Sequence, residues 1–401
     1  MEILKNFLSS NWSVSGKGFG LLYNTAKAID SHTRLWEDRV SCELAIDSYC
    51  GTAQNEYGEK MVAYHELGPD IVNLLKMPQI KLNAKLCPVK EIKELYGDFV
   101  RTGVLIRYPA DPKPDEKQYL FSVDPGFFNQ IGKSSGSRYS DMGRGLTRAL
   151  AIEDQIVRQP YTLSLLIKYD ESGAGKIFRV ARDRYNYVKQ RFFAENVDNF
   201  LIQANQEFLK EGKSWKWEIT DWEISHYITK IKAEVPQLNE YLRKQGIDIT
   251  PALIFYTSET GDSPMAIASC MCVDNAESKY EAYSTKHMGG SNHVTEFFDD
   301  IYQNRKIIEN LLDKAIRLKN LKSEPANKGD FRMMANKLNL ATFKTGKREV
   351  VKLLAAEEKE SLRYDVSLYD IFRRILNLPN KVERTRDELA KLTGEVIKKI
   401  A

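Results

Sequence analysis

A segment rich in cations and tyrosines, residues 176–191 (KIFRVARDRYNYVKQR), carries the most informative chemistry in this sequence. Its sixteen positions hold six basic residues, one acidic residue and three aromatic residues. Arginine and lysine neutralise phosphates and release counterions. Tyrosines two positions apart share one face of an extended chain, where they offer stacking surfaces to unpaired bases. These properties predict nucleic-acid contacts from Lys176, Arg179, Arg182, Arg184, Tyr185, Tyr187, Lys189 and Arg191.

A second basic segment surrounds the stretch that is richest in glycine and serine, residues 132–145 (GKSSGSRYSDMGRG). Such a composition is typical of a loop, and its cations extend the predicted nucleic-acid surface to Lys133, Arg138, Arg144 and Arg148. A third stretch, residues 314–348, has ten basic residues against two acidic ones. Basic stretches also pair with acidic patches elsewhere, and interleaved tyrosines also pack in cores. A structural role for these segments therefore stays open.

Two cysteines and two histidines form the candidate metal site of the sequence. Cys270 and Cys272, with His287 and His293, could supply four ligands for zinc. Structural zinc sites place roughly two to four residues between paired cysteines, whereas one residue separates this pair. On a strand the two cysteines share one face, which favours joint burial. Core cysteines and two loop histidines are the preferred interpretation, and no metal or other cofactor is predicted.

The catalytic motifs that the sequence suggests are incomplete. Residues 16–20 (GKGFG) and 172–176 (SGAGK) resemble phosphate-binding loops, but the lysine of a P-loop is followed by serine or threonine, and Lys176 is followed by Ile177. No strand-turn-helix elbow with a nucleophilic serine is predicted, since the one GxSxG match, residues 132–136 (GKSSG), lies in the stretch that has the composition of a loop. The candidate general bases are His226, His287 and His293. The sequence therefore favours binding over catalysis.

Composition and charge narrow the class of protein. Of 401 residues, 42% are hydrophobic and 28% are charged, as in ordinary globular proteins, and the net charge of +4 is modest. The five cysteines are odd in number and unevenly spaced, which indicates a reducing compartment rather than a disulfide framework. The apolar runs are too short to cross a bilayer, and the first ten residues lack the order of a secretory signal. We therefore expect a cytoplasmic protein without a membrane partner.

Hydrophobic periodicity predicts an α+β fold with a mainly antiparallel sheet, flanking helices and a helical C-terminal region. The main predicted strands are 101–108, 119–123, 163–169, 176–180, 251–256 and 265–273, with residues 163–180 forming a hairpin. The main predicted helices are 146–158, 188–210, 294–322, 368–376 and 382–400. Four segments follow: a mixed N-terminal region (1–98), an α+β core (99–322), a Lys- and Asn-rich linker or arm (323–346), and a C-terminal helical region (347–401).

Four short motifs follow one another between residues 179 and 290. They are RVARDRY at 179–185, YTSETG at 256–261, the predicted strand end CMCVDN at 270–275, and HMGG at 287–290. In this order they resemble the phage/plasmid-like protein family, an uncharacterised domain family of bacteriophages and mobile elements, over roughly residues 100–320. The sequence departs from the family pattern at Thr257, at Val273 and Asp274, and at Ala276. The resemblance implies a mobile-element origin and a location in the host cytosol, and it brings no settled activity.

Hypotheses from three classes remain. The first is a phage- or plasmid-type nucleic-acid-binding protein that handles single-stranded DNA, as a binding or annealing accessory, without catalysis. The second is an oligomeric structural or host-interaction protein of a phage, a virion component or an inhibitor, in which C-terminal helices dock between copies. The third is an enzyme in which Glu259 and His287 converge with other acidic residues. The basic, tyrosine-bearing segment favours the first.

Overall fold

The chain forms two compact units, each assembled from several stretches of sequence. The structure is a computed structural model, and it describes residues 4–40, 43–67, 82–135, 142–143, 145–156, 162–170, 174–181, 187–260, 264–286, 293–304, 306–361, 363 and 365–398. The first unit comprises residues 1–14, 24–190 and 225–227, and the second comprises residues 15–23, 191–224 and 228–401.

Fourteen strands and twelve α-helices lie in the described part of the chain. The strands are β1 (Ser13–Gly16), β2 (Thr33–Val40), β3 (Ala45–Gln54), β4 (Lys60–Leu67), β5 (Lys85–Pro88), β6 (Val104–Tyr108), β7 (Tyr119–Val123), β8 (Thr162–Tyr169), β9 (Gly175–Ala181), β10 (Glu218–Ser225), β11 (Thr229–Glu234), β12 (Thr250–Thr257), β13 (Met265–Val273) and β14 (Ala276–Thr285). The helices are α1 (Phe19–Ser31), α2 (Lys93–Thr102), α3 (Pro125–Ser135), α4 (Leu146–Ile156), α5 (Gln190–Lys210), α6 (Pro236–Lys244), α7 (His293–Asn304), α8 (Lys306–Ser323), α9 (Lys328–Ala335), α10 (Lys347–Ser361), α11 (Leu368–Leu376) and α12 (Arg386–Lys398). The strands form two mostly antiparallel sheets, which confirms the predicted α+β class.

Eight strands form the sheet of the first unit, in the order β2-β8-β9-β7-β6-β3-β4-β5. Their neighbours are antiparallel except β7 and β9, which run parallel. Successive side chains of β6 enter different cores: Ile106 packs in a cluster that includes Phe127 of α3, and Leu105 packs in a cluster that includes Phe99 of α2. Because strand side chains alternate between faces, both faces of β6 are apolar and both are covered by helices.

Six strands form the sheet of the second unit, in the order β1-β10-β11-β12-β13-β14, and each pair from β10 to β14 is antiparallel. One face of this sheet packs against helices. The ring of Phe255 in β12 has its centroid 5.7 Å from that of Phe200 in α5 and 6.0 Å from that of Phe298 in α7. On the same face, the Ser269 hydroxyl of β13 donates to the Ile307 carbonyl of α8 at 3.1 Å.

The segment predicted as a linker or arm, residues 323–346, is instead folded against the rest of its unit. It contains α9, whose first turn is closed by a capping box between Asn327 and Asp330. Phe331, Met334 and Leu338 are buried at helical spacing, while Arg332 is exposed. The basic composition therefore belongs to the outer face of an amphipathic segment.

Several predicted boundaries agree with the structure. Strands β7 and β13 and helix α11 have the predicted ends, and β8 and β9 form the predicted antiparallel hairpin. Helices α7 and α8 together cover the helix predicted over 294–322, and residue 305 between them lies outside the described part. The Gly- and Ser-rich stretch begins within the end of α3, and its residues 136–141 and 144 lie outside the described part. Among the helices that the structure describes, none has the length and apolar character needed to cross a membrane.

Candidate functional site

One face of the second sheet carries charged and aromatic side chains. Along β11, Ile231 is buried whereas Lys230 is partly exposed, because neighbouring side chains of a strand point to opposite faces. The strand register sets Lys230 directly opposite Tyr256 of β12. The ammonium of Lys279, in β14, lies over the Tyr256 ring at 4.2 Å from its centroid. Two lysines thus flank one tyrosine on the face opposite that of Phe255.

A cavity of about 440 Å³ opens over this face, and we name it the basic cavity. Its volume lies within the usual range for small-molecule sites, roughly 300–1,000 Å³. Four cations and two carboxylates line it, together with one tyrosine and a few small or apolar side chains. The lining residues are Ile228, Lys230, Tyr256, Asn275, Ala276, Glu277, Lys279, Pro379, Arg386, Asp387, Ala390 and Lys391.

The cations of the basic cavity are only partly neutralised by the protein. Lys230 forms an ion pair with Glu277 at 2.5 Å. Among the described residues, no carboxylate lies within ion-pair distance of Lys279, Arg386 or Lys391. Burial lowers the pKa of the Lys279 ammonium; Cys270 and Glu277 partly oppose the shift, and the neighbouring cations Lys230 and Lys391 add to it. A lowered lysine pKa means that positive charge is crowded and poorly solvated there, which favours an anionic ligand.

The Tyr256 hydroxyl group is buried beside the basic cavity. Burial raises the pKa of Tyr256 well above that of an exposed tyrosine, so the phenol stays protonated. Its oxygen is shielded from solvent, and no hydrogen-bond partner for it occurs among the described residues. A buried hydroxyl without a partner is unfavourable by about 1–3 kcal/mol.

Helix α12 forms one wall of the basic cavity and lies very close to β14. A Cβ atom at Gly394 would lie only 1.7 Å from the Lys279 carbonyl oxygen, so only glycine allows this approach. The helix start is fixed by Arg386, which donates to the Asn275 carbonyl at 2.9 Å. Asn380 donates to the Val273 carbonyl at 3.0 Å just before the helix. Because β14 is the last strand in the sheet order, α12 also covers an otherwise open sheet edge.

The two cysteines of the candidate zinc site are buried together. The Sγ atoms of Cys270 and Cys272 lie 3.8 Å apart, in a cluster with Ala252 and Ile254. Burial raises the pKa of the Cys270 thiol well above its ordinary value, which disfavours the thiolate that zinc requires. The described residues hold no group of three or more potential metal ligands. The structure thus gives these cysteines the core position that the sequence favoured.

The histidines that the sequence analysis proposed as general bases lie in different environments. The His293 ring bonds with the Thr285 hydroxyl at 3.1 Å and the Lys286 carbonyl at 2.7 Å, at the start of α7. In the first unit, His226 is fully buried, with its ring centroid 4.1 Å from that of Phe178, and burial lowers its pKa well below the ordinary value. His287 lies outside the described residues.

Lys176 has an internal role, contrary to the surface role that the sequence predicted. Its side chain has no solvent exposure, and its ammonium lies 3.0 Å from an Asp98 oxygen and 3.6 Å from an Asp124 oxygen. It also donates to the Leu8 carbonyl at 2.9 Å. A lysine so enclosed cannot reach the phosphates of a strand, and its positive charge balances buried carboxylates.

Arg148 is buried in the same way. Its guanidinium donates to the Thr102 carbonyl at 3.0 Å and to the Met142 carbonyl at 2.6 Å, and it lies over the ring of Phe128. Arginine in such a position connects a loop to a helix through its fixed donors. Like Lys176, this side chain is withdrawn from the predicted nucleic-acid surface.

Two of the remaining residues that were predicted to contact nucleic acid are exposed in the described part of the chain. Lys189 and Arg191 are exposed, and Arg191 lies 3.6 Å from Glu195 one helical turn away. Arg179 and Tyr187 are partly buried. Lys133 lies in α3, but its side chain is outside the described part, as are Arg138, Arg144, Arg182, Arg184 and Tyr185. The structure therefore does not bring the twelve nominated residues together as one described surface.

Comparison with known proteins adds no relative. No protein-family model, curated protein or solved structure matches this chain. The phage/plasmid-like assignment accordingly stays a prediction, and the function has to be argued from the geometry of the site.

The basic cavity was missed because its residues are scattered through the sequence. Lys230, Tyr256, Lys279 and Arg386 lie on three strands and a distant helix, and none of them falls in a run of cations. One local signal was present: in β11, lysines alternate with Ile231 and an alanine, which is typical of a strand with one polar face.

Proposed function

We propose that this protein binds single-stranded nucleic acid, and that the basic cavity holds a phosphate and its nucleoside. The observation that carries the proposal is the excess of cations around a cavity of nucleotide size, with three of its four cations free of ion pairs among the described residues. Phosphate groups are the commonest biological ligands for such a cluster. The tyrosine and the apolar lining give a base and sugar an apolar surface.

The arrangement of the wall supports a strand more than a small inorganic anion. Arg386 and Lys391 are exposed at one side of the cavity, on the first turns of α12, while Lys279 lies deeper beside Tyr256. The helix N-terminus adds a partial positive charge. Exposed cations beside a partly buried lysine and a tyrosine suit a ligand that carries both a phosphate and a nucleoside, as a nucleotide within a strand does.

The resemblance to the phage/plasmid-like family is consistent with this function, since mobile elements encode proteins that handle their own DNA. Under the proposal, the exposed Arg191, which belongs to the second unit, binds phosphate electrostatically, without base recognition.

A salt titration tests the proposal. Fluorescence anisotropy would follow binding of a labelled oligothymidine of about 20 nucleotides, long enough for the usual site sizes of single-strand binders. Replacing Arg386 and Lys391 together with alanine should weaken binding and reduce the salt slope by about 1.4, because each neutralised phosphate of a single strand contributes about 0.7 to that slope. The matched control replaces Arg317 and Lys319, an exposed arginine and lysine on α8 outside the cavity. It removes the same charge and should change the slope much less.

The same binding assay distinguishes the contribution of the basic cavity from that of residues 176–191, the segment predicted to bind nucleic acid. A triple alanine variant at Arg182, Arg184 and Tyr185 should keep most of the affinity if the cavity is the principal site. If that variant abolishes binding while the cavity variant binds normally, the cavity is not the site. Absence of strand binding by the unaltered protein at low salt would refute the function itself.

A further inference from the structure

A second cluster of reactive groups lies in the first unit, around Ser10. The Ser10 hydroxyl donates to the Asp124 Oδ2 atom at 2.7 Å. The Ser10 oxygen in turn accepts hydrogen bonds from the Lys176 ammonium and from the Arg101 guanidinium, each at 3.0 Å. A serine oxygen that contacts one carboxylate and two cations has both a proton acceptor and charge stabilisation for an alkoxide.

Asp124 is held in one orientation by its other oxygen. The Tyr227 hydroxyl donates to Asp124 Oδ1 at 2.6 Å, and the Gly126 amide donates to the same atom at 2.8 Å. Asp124 is fully buried, so its Oδ2 atom faces Ser10 and not water. Nucleophile, base and orienting group thus follow one another within hydrogen-bond distance, which is the geometric signature of an activated nucleophile.

Two cations and two carboxylates surround Ser10, and their solvent exposure differs. Lys176 is fully buried, and Asp98 pairs with Arg101 at 2.5 Å and with Lys176 at 3.0 Å. The Arg101 side chain is 44% exposed, and Ser10 is itself partly exposed. A substrate can therefore approach Ser10 from the side of Arg101, whose planar group suits the oxygens of a phosphate.

We propose that Ser10 is a nucleophile for phosphate esters, with Asp124 as its general base and Tyr227 as a positioning residue. In the step, the Ser10 oxygen bonds to phosphorus and the bond from phosphorus to the alcohol oxygen breaks. The hydroxyl proton passes to Asp124, and the departing alkoxide, which leaves on the side opposite Ser10, takes its proton from water, so the products are phosphoserine, a free alcohol and hydroxide, the last neutralised by buffer. Lys176 stabilises the Ser10 oxygen as it loses its proton, through the hydrogen bond it donates to that atom, and the exposed Arg101 stabilises the negative charge that develops around phosphorus. This inference does not depend on the function proposed for the second unit.

Covalent labelling tests the inference with the intact protein. A fluorophosphonate probe reacts with activated serines by losing fluoride, and peptide mass spectrometry identifies the residue that carries the phosphonyl group. We expect labelling at Ser10 and none at Ser9, an exposed neighbour for which the structure shows no carboxylate partner among the described residues. Ser9→Ala should label at the rate of the unaltered protein, and Ser10→Ala should not label.

Two further variants separate catalysis from a structural role. Asp124→Asn should slow labelling by about 10²–10⁴, the usual contribution of a general base, with its thermal midpoint measured in parallel to show that it folds. Tyr227→Phe keeps the carboxylate, and it should slow labelling less and shift the pH at which the rate is half-maximal. Absence of Ser10 labelling in the folded, unaltered protein overturns the inference, and so does equal labelling by folded Asp124→Asn.

Discussion

Replacing Gly394 with alanine is the sharpest test of the wall of the basic cavity. The added Cβ would lie 1.7 Å from the Lys279 carbonyl oxygen, and real Cβ atoms essentially never approach another atom within 3.0 Å. The backbones of α12 and β14 must therefore separate by about 1.3 Å, since neither atom belongs to a flexible side chain. Overpacking of this kind destabilises by about 1–3 kcal/mol, whereas glycine-to-alanine in an unobstructed helix stabilises by up to about 1 kcal/mol.

The control is the same substitution at Gly97, a helical glycine of α2 whose added Cβ would meet no atom within 4 Å apart from its chain neighbours and the backbone of its own helix. Urea unfolding followed by circular dichroism gives both free energies of unfolding. We expect Gly97→Ala to be neutral or stabilising and Gly394→Ala to be destabilising by about 1–3 kcal/mol. Because α12 carries Arg386 and Lys391, Gly394→Ala should also weaken oligothymidine binding. A Gly394→Ala protein as stable as the unaltered chain would refute the close approach of α12 to β14.

Buried groups supply three further predictions. Lys176→Met should destabilise by about 3–5 kcal/mol, because it leaves the buried Asp124 carboxylate without its cation, while Lys189→Met, at an exposed site, should change the free energy of unfolding in urea by less than about 0.5 kcal/mol. Phe331→Ala should destabilise by about 3–5 kcal/mol; a negligible effect would restore the linker interpretation of residues 323–346. The lowered pKa of Lys279 means that the unfolded chain binds more protons above that pKa. Stability should therefore rise with pH from the lowered pKa up to about 10.4, the ordinary lysine value, and urea titrations of Lys279→Met should lack this rise.

The elements that were predicted correctly are those whose local pattern and flanking residues agree. Met265–Val273 is an apolar run after a turn signal, and it is β13 with the predicted ends. Leu368–Leu376 begins at a Ser367 capping box, and it is α11. Strand β14 was not predicted because its polar and apolar residues alternate weakly and its tertiary position, at the sheet edge under α12, decides its conformation.

The site predictions failed where partners lie far apart in the chain. Lys176 was predicted to lie at the surface because its neighbours in the sequence are basic. The carboxylates that pair with it, Asp98 and Asp124, lie in a helix and a loop that precede it by many residues. The basic cavity was invisible for the same reason, since strand register and a C-terminal helix bring its lysines together. The density of charged residues in a short segment describes only its composition. Whether a charged side chain is buried or forms an ion pair depends on contacts with distant segments.

The division of the first unit among three stretches of sequence has a consequence during synthesis on the ribosome. The strands of its sheet are complete by residue 181, but His226 and Tyr227 are translated only after α5 and β10, most of whose residues belong to the second unit. Until then the nascent sheet lacks the imidazole that fills the space beside Phe178 and the hydroxyl that holds Asp124. The first unit therefore cannot finish folding before the second has begun to emerge, and neither can be released as a separate domain by a single cut in the chain.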